Sequence, residues 1–288
     1  MHDEILRALF RKQELDDEEE QFAYLRSLVP SMLTLWESYR ATAIRPRYDL
    51  ADVQACYLLR YFPSYTLLLP HVLGLVGEDF DQEEINVSFF GAGPAPEFVG
   101  LINYLRNRSS ATSINCSLFD SSAQWEFARA ISLGAILRSR WPRKDLSLEE
   151  IATDLTRRWE PNGLELTSGD ELDLAVFQNC LNELTEPGRQ MVRRNVGRLI
   201  DRMPRHSLIT FIEPANYDLE EFLQELQGLS GTRVLLKPDA RNVSCLPVLR
   251  TLPDMVEEAR LLVRYPKRLN GRILATSVDF HSLVLQKR

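Results

Sequence analysis

Apolar residues recur at helical spacing through roughly the first eighty positions, then gather into short continuous runs. Ile5, Leu6, Leu9 and Phe10 share one helical face. Phe22, Leu25, Leu28 and Val29 repeat the pattern beyond an acidic run at 16–20. Pro30, Pro46, Pro63 and Pro70 divide this stretch into several short helices, and Asp49 is placed to cap one over 51–59. A polar linker at 77–84 leads into the first apolar run. Strands are predicted at 86–90, 113–119, 172–178, 207–212, 233–236, 272–277 and 282–286. Helical patterns fall at 97–107, 122–138, 148–158, 187–203, 218–228 and 253–263. Continuous apolar strands alternating with helices predict a mostly parallel sheet covered on both faces. Val278–His281 is too short for a crossover helix, so the last two strands are expected to form an antiparallel hairpin. The chain therefore reads as α/β, with an all-α cap over 1–80 and a seven-stranded domain over 85–288.

Composition narrows this only modestly. At 288 residues, 44% hydrophobic and 26% charged, the chain has enough apolar material for one large domain with an appendage, or for two domains. It contains no apolar run of membrane-spanning length, and its first residues carry early acids rather than a secretory pattern. Cys56, Cys116, Cys180 and Cys245 are widely spaced with no neighbouring histidines, which argues against a metal site or disulfide framework and fits a cytoplasmic protein. The net charge of −7 argues against a generally cationic nucleic-acid binder, though not against a local basic patch.

In an open parallel sheet, ligands gather beyond the carboxyl ends of the strands. The first run ends in Gly91-Ala92-Gly93-Pro94, followed by Pro96 and Glu97 at a helix start. Glycines there permit a tight turn and close approach of a ligand to the backbone. The second run ends in Asp120 and Ser121, where an acid can accept hydrogen bonds from two ribose hydroxyls. The third tip is assigned to Ser168-Gly169-Asp170, the fourth to Gln178, Asn179 and Asn182, and the fifth to Glu213. A nicotinamide-dependent dehydrogenase would want a small residue at the sixth position of the glycine motif, where this chain has Pro96.

This order of tips resembles the seven-strand, class I S-adenosylmethionine-dependent methyltransferases. Phe90-Gly-Ala-Gly-Pro-Ala-Pro-Glu97 is similar to their first motif, Leu118-Phe-Asp120 to the ribose-binding acid, and Leu174-Ala-Val-Phe-Gln-Asn179 to the fourth motif. The resemblance covers about 85–288 and implies a last strand inserted antiparallel. It also implies S-adenosylmethionine as cofactor, held by Gly91, Ala92, Gly93, Pro94, Glu97, Asp120, Ser121, Asp170, Gln178 and Asn179. More narrowly, Leu181-Asn-Glu-Leu184 and Tyr57-Leu-Leu-Arg-Tyr-Phe-Pro63 resemble proteins of ribosomal RNA methylation and mitochondrial small-subunit assembly.

Methyl transfer needs no dedicated acid or base, because the cofactor arrives activated and the protein chiefly positions the acceptor. Tyr61, Tyr65, Asn182 and His281 are the candidate acceptor residues, with packing the bland alternative for the tyrosines and solvent exposure for His281. Arg189, Arg193, Arg194, Arg198 and Arg202 line one side of a helix whose other side is apolar. They are read as a solvated face or as a phosphate contact to RNA. A non-catalytic, cofactor-binding scaffold is the alternative to an enzyme. Small molecule, RNA and protein all stand open as acceptors.

Overall fold

Phe90, Phe119, Phe177 and Phe211 stand side by side across four neighbouring strands, and their stacked rings mark the centre of the sheet. Centroids lie 4.8 Å apart for Phe90–Phe119, 4.6 Å for Phe90–Phe177 and 4.9 Å for Phe177–Phe211. Register produces the row, since Phe90 pairs with both Phe119 and Phe177, and Phe177 with Phe211. Trp159 stacks on Phe90 at 5.0 Å from above. The computed structural model describes residues 1–39, 46–106, 108–121, 123–141, 145–159, 171–215, 217–249, 252–259 and 277–288.

The strands are β1 (Glu84–Phe90), β2 (Ser113–Asp120), β3 (Asp145–Ala152), β4 (Leu174–Gln178), β5 (Leu208–Pro214), β6 (Thr232–Ser244) and β7 (Ser277–Lys287). They form one seven-stranded sheet in the order β3-β2-β1-β4-β5-β7-β6. The pairs from β3 through β5 are parallel, and β7 runs antiparallel between β5 and β6. The α/β class and the reversed final strand are therefore as expected.

Two elements differ from the expectation. The predicted helix over 148–158 is in fact β3, an edge strand whose residues stay exposed or half-buried. Its apolar residues do not alternate, Leu146 and Ile151 being half-buried against the two core clusters, and pairing with β2 overrides the local pattern. The second difference is at the C-terminus. Val278–His281, expected as a hairpin turn, lies inside the continuous strand β7 and pairs with Ala240–Val243 of β6. The final strand therefore pairs with β5 on one side and, on the other, with β6, which runs much longer than predicted. The strand expected over 272–277 falls outside the described residues except for Ser277.

The cap comprises α1 (His2–Lys12), α2 (Glu18–Ser27), α3 (Val29–Ser38), α4 (Ala51–Arg60), α5 (Phe62–Tyr65) and α6 (Leu68–Val76). Together with α7 (Pro96–Leu105) and α8 (Glu126–Ile131), these helices share one buried cluster with one face of the sheet, from Ile5 to Val284. On the opposite face, Val192, Val196, Leu199 and Ile200 from the helix Glu186–Arg202 pack against the phenylalanine row. No helix among the described residues is long and apolar enough to cross a membrane.

Candidate functional site at the strand tips

The glycine turn owes its shape to what it must touch. Gly91, Gly93 and Ala95 all have positive φ, at 67°, 49° and 58°, a region that favours glycine. A Cβ on Gly91 would lie 2.3 Å from Cβ of Cys180, so only glycine lets the tips of β1 and β4 meet. The Gly91 and Ala92 amides donate to the Phe119 carbonyl at 2.7 and 3.1 Å, tying the turn to β2. Asp120, at the tip of β2, accepts the Gly93 amide on Oδ2 at 2.8 Å. The two motifs are thus directly joined.

Glu97 lies in the first turn of α7 and is buried. Burial pushes its carboxyl up to about 8, and nearby Asp120 adds to the shift; its own backbone amide and Arg129 oppose it. The carboxyl is therefore protonated near neutral pH. Arg129, from α8, is buried as well; its Nε donates to the Gly93 carbonyl at 2.7 Å and its guanidinium pairs with Glu150 of β3. Nothing local in the sequence marked this arginine, because its role exists only once α8 crosses the turn. Ser121 is an exposed bend just past Asp120.

At β4, Gln178 is buried and its Nε2 donates to the Tyr65 carbonyl at 3.2 Å. Asn179 follows with φ at 55°, and its amide donates to Ile212 O at 2.9 Å. Glu213, at the end of β5, then accepts the amides of Cys180, Leu181 and Asn182 at 3.1, 3.1 and 3.3 Å. This fully buried carboxyl is pushed up to about 8 by burial, against the pull of those three amides. It holds the loop after β4 in place, a role the sequence reading left unassigned. The Cys180 thiol is raised well above its ordinary value by burial and by Glu213, so it stays protonated and is no nucleophile.

The cap delivers an aromatic cluster to these tips. Tyr48 lies 4.5 Å from Trp125 between centroids, and Tyr57 lies 5.6 Å from it. Tyr57, Tyr61 and Tyr65 pack together at 5.7 to 6.2 Å. The Tyr48 hydroxyl donates to Glu183, beyond β4, at 3.1 Å. The Trp125 ring comes within 3.4 Å of where a Gly93 Cβ would sit. Tyr61 and Tyr65 thus join this cluster through Tyr57.

His281 does not lie on an exposed rim. It sits within β7 opposite Glu213, buried, with Nε2 3.9 Å from Glu220. Asp170 lies outside the described residues. β3, read from the sequence as part of a helix, ends at Ala152, and beyond it Asp154 Oδ1 accepts the Thr156 amide at 2.9 Å.

The arginine helix covers the face of the sheet opposite the cap. Arg194, Arg198 and Arg202 are exposed there. Arg189 donates to the carbonyls of Leu184 and Asp218 at 3.3 and 3.4 Å, and Arg193 reaches Glu225 at 3.9 Å.

No protein-family model matches the chain, and no curated protein matches it by sequence. Among solved structures it is similar to an rRNA methylase from Streptococcus thermophilus, at 13% identity and a TM-score of 0.40, over 75% of this chain and 94% of that one. It is also similar to precorrin-6y C5,15-methyltransferase from Geobacter metallireducens, at 16% identity and 0.38, over 76% and 88%. The plantazolicin methyltransferase BpumL in complex with SAH aligns at 10% identity and 0.39, over 94% and 99%. Likenesses at this level carry no function from one chain to another; the geometry of the site must do so.

Proposed function

We propose that the chain is an S-adenosylmethionine-dependent methyltransferase, with the cofactor held at the tips of β1 and β2. The observation that carries this is the joined pair of motifs: a turn that only glycine can make, locked through the Gly93 amide to Asp120. The residues present fit the cofactor. The glycines take the left-handed conformations the turn needs, and Asp120 stands where an acid can take ribose hydroxyls. Glu97, buried in the same turn, suits the ammonium end, which would draw it into its charged form. Ser121 borders the adenosine side, while Gln178 and Asn179 close the wall toward β4.

When bound, the cofactor supplies a methyl group already activated on a sulfonium. The chain's own part is to orient the acceptor and exclude water. The aromatic cluster of the cap serves both ends, since it roofs the turn and is bolted to the β4 loop through Tyr48 and Glu183. Arg129 and Glu213 are positioning groups, the first on the Gly93 carbonyl and the second on the loop amides.

One contact favours a second reading, a non-catalytic scaffold: the Trp125 ring is packed against Gly93, closing the roof on the turn. Calorimetric titration with S-adenosylhomocysteine tests the cofactor site on which the methyltransferase reading depends. The methyltransferase reading expects saturable binding, weakened by about 10- to 100-fold in Asp120→Ala, as fits the loss of hydrogen bonds to a charged group. Heat-silent titrations at near-millimolar ligand with the intact chain would overturn it.

A further inference from the structure

The arginine helix, Glu186–Arg202, buries Val192, Val196, Leu199 and Ile200 on the sheet and turns its other side outward. Arg194, Arg198 and Arg202 recur there at four-residue intervals, and all three are exposed. Arg157 and Arg158 extend this face from the segment after β3. Asn195, buried in the helix, fastens that segment: its Nδ2 donates to the Arg157 carbonyl at 2.7 Å and its Oδ1 accepts the Trp159 amide at 3.2 Å. Both arginines are exposed, and the Arg157 side chain, 83% in solvent, lies 3.2 Å from Asp154.

The charge is one-sided. The neighbouring helix Tyr217–Gln227 neutralises the near flank, where Arg193 meets Glu225 at 3.9 Å. On the outward stripe, Arg194 and Arg198 have no hydrogen-bond or ion-pair partner among the described residues. Asp201 is the only acid of the helix beyond its first turn. Like charges one turn apart weaken a helix, and a chain with a net charge of −7 has acids to spare for pairing them. A stripe kept clear of those acids attracts a polyanion.

We infer that this face docks the phosphate backbone of double-stranded RNA. Its cations are all arginines, whose guanidinium forks match phosphate oxygens. An acidic protein partner would want an apolar anchor at its centre, and the exposed large hydrophobics Leu33, Leu50, Leu75, Leu148 and Leu246 all lie on other elements. A single strand would want aromatic rings for its bases to stack on; Trp159, beside Arg158 in the chain, is buried against Phe90. A duplex offers phosphates without either. Residues four apart are separated by about 6 Å along a helix axis, which matches the closer phosphate spacing of an A-form strand rather than the longer one of B-form DNA. Such contacts position a nucleic acid without reading its sequence. The face lies across the sheet from the cap, so docking there is independent of the glycine turn and of the methyltransferase reading.

The test follows the fluorescence anisotropy of a labelled RNA duplex of about 16 base pairs titrated with the full-length chain. Binding is expected to weaken about a hundredfold between about 50 and about 200 mM salt, as fits about four neutralised phosphates. In Arg194→Gln/Arg198→Gln that salt dependence should shrink to about tenfold, with affinity at the lower salt reduced by more than about tenfold. Arg7→Gln/Arg106→Gln makes the same charge change on the cap side and should stay within about twofold of the wild type. Asp201→Asn removes the acid from the stripe and should tighten binding several-fold, a gain that a misfolded variant cannot mimic. An equal loss in the cap-side pair would overturn the assignment, as would equal binding of the matching DNA duplex or of the single RNA strand. Displacement of the duplex by polyglutamate at the same charge concentration, a salt-insensitive interaction, or no binding at about 50 mM salt would overturn it too.

Discussion

Glu97 and Glu213 are two carboxyls with folded-state values near 8, against an ordinary 4.5. In the unfolded chain both ionise above about 4.5, whereas in the folded chain both keep their protons until about 8. Folding therefore takes up protons in that window, and by linkage the stability these groups contribute is full below it and lost as pH rises through it. The combined loss is on the order of several kcal/mol. Glu4 and Asp154 are lowered and act in the opposite sense, losing their contribution as the solution becomes acid. Urea midpoints at about pH 6 and about pH 8.5 should thus fall toward alkaline pH in the wild type and fall less in Glu213→Gln. Equal pH slopes in the two proteins would show that Glu213 is not held protonated. At this scale Gly91, Gly93 and Asp120 were legible because a tight turn and an acid at a strand end are local signals. Glu213 and Arg129 were not, because their importance depends on backbone groups that lie 31 to 36 residues away in the chain.

Among elements, the strands that were read correctly are those buried on both faces, such as β1, β4 and β5. Continuous apolar runs identify them. β3 was missed for the converse reason: its Leu-Glu-Glu-Ile stretch has helical spacing, and only the hydrogen bonds from β2 make it a strand. The contrast has an energetic consequence. Phe177 is wholly buried between Phe90 and Phe211 in the stacked row, so Phe177→Ala removes ring contacts on two sides and leaves a cavity. The expected loss is about 3–5 kcal/mol. Leu148 on β3 is 37% exposed, and Leu148→Ser should change stability by less than about 0.5 kcal/mol. Urea denaturation of the two variants checks the pair, and comparable losses would mean that the β3 edge is covered by packing the fold does not show. The long β6–β7 pairing was partly legible, since the reversal of the last strand followed from a connection too short for a helix. The identity of its partner did not, because β6 continues past Leu236 through two register shifts that blur its pattern.

In the whole molecule, the cap and the sheet do not have separate interiors. Ile5, Leu9, Leu25 and Leu28 of the cap belong to the same buried cluster as Val87 of β1, Ile114 of β2 and Val284 of β7. Polar ties cross the same boundary: Gln54 of α4 accepts the Ala128 amide at 2.8 Å, and Arg140 reaches Glu4 at 2.6 Å. The sequence separates the two regions by periodicity, helical before residue 80 and alternating after it, but periodicity reports local structure rather than which surfaces are shared. A cap of short helices that shares its core with the sheet loses that burial when the sheet unfolds. Unfolding should therefore be a single transition, with the near-ultraviolet signal of the cap tyrosines and the far-ultraviolet signal of the whole chain lost at the same urea concentration. An earlier loss of the tyrosine signal, with the sheet still folded, would make the cap an independent unit. Coincident transitions mean that tightening the roof over the glycine turn and stabilising the chain are one event. In that case S-adenosylhomocysteine at a hundred times its Kd shifts both probes together, by about 2.7 kcal/mol.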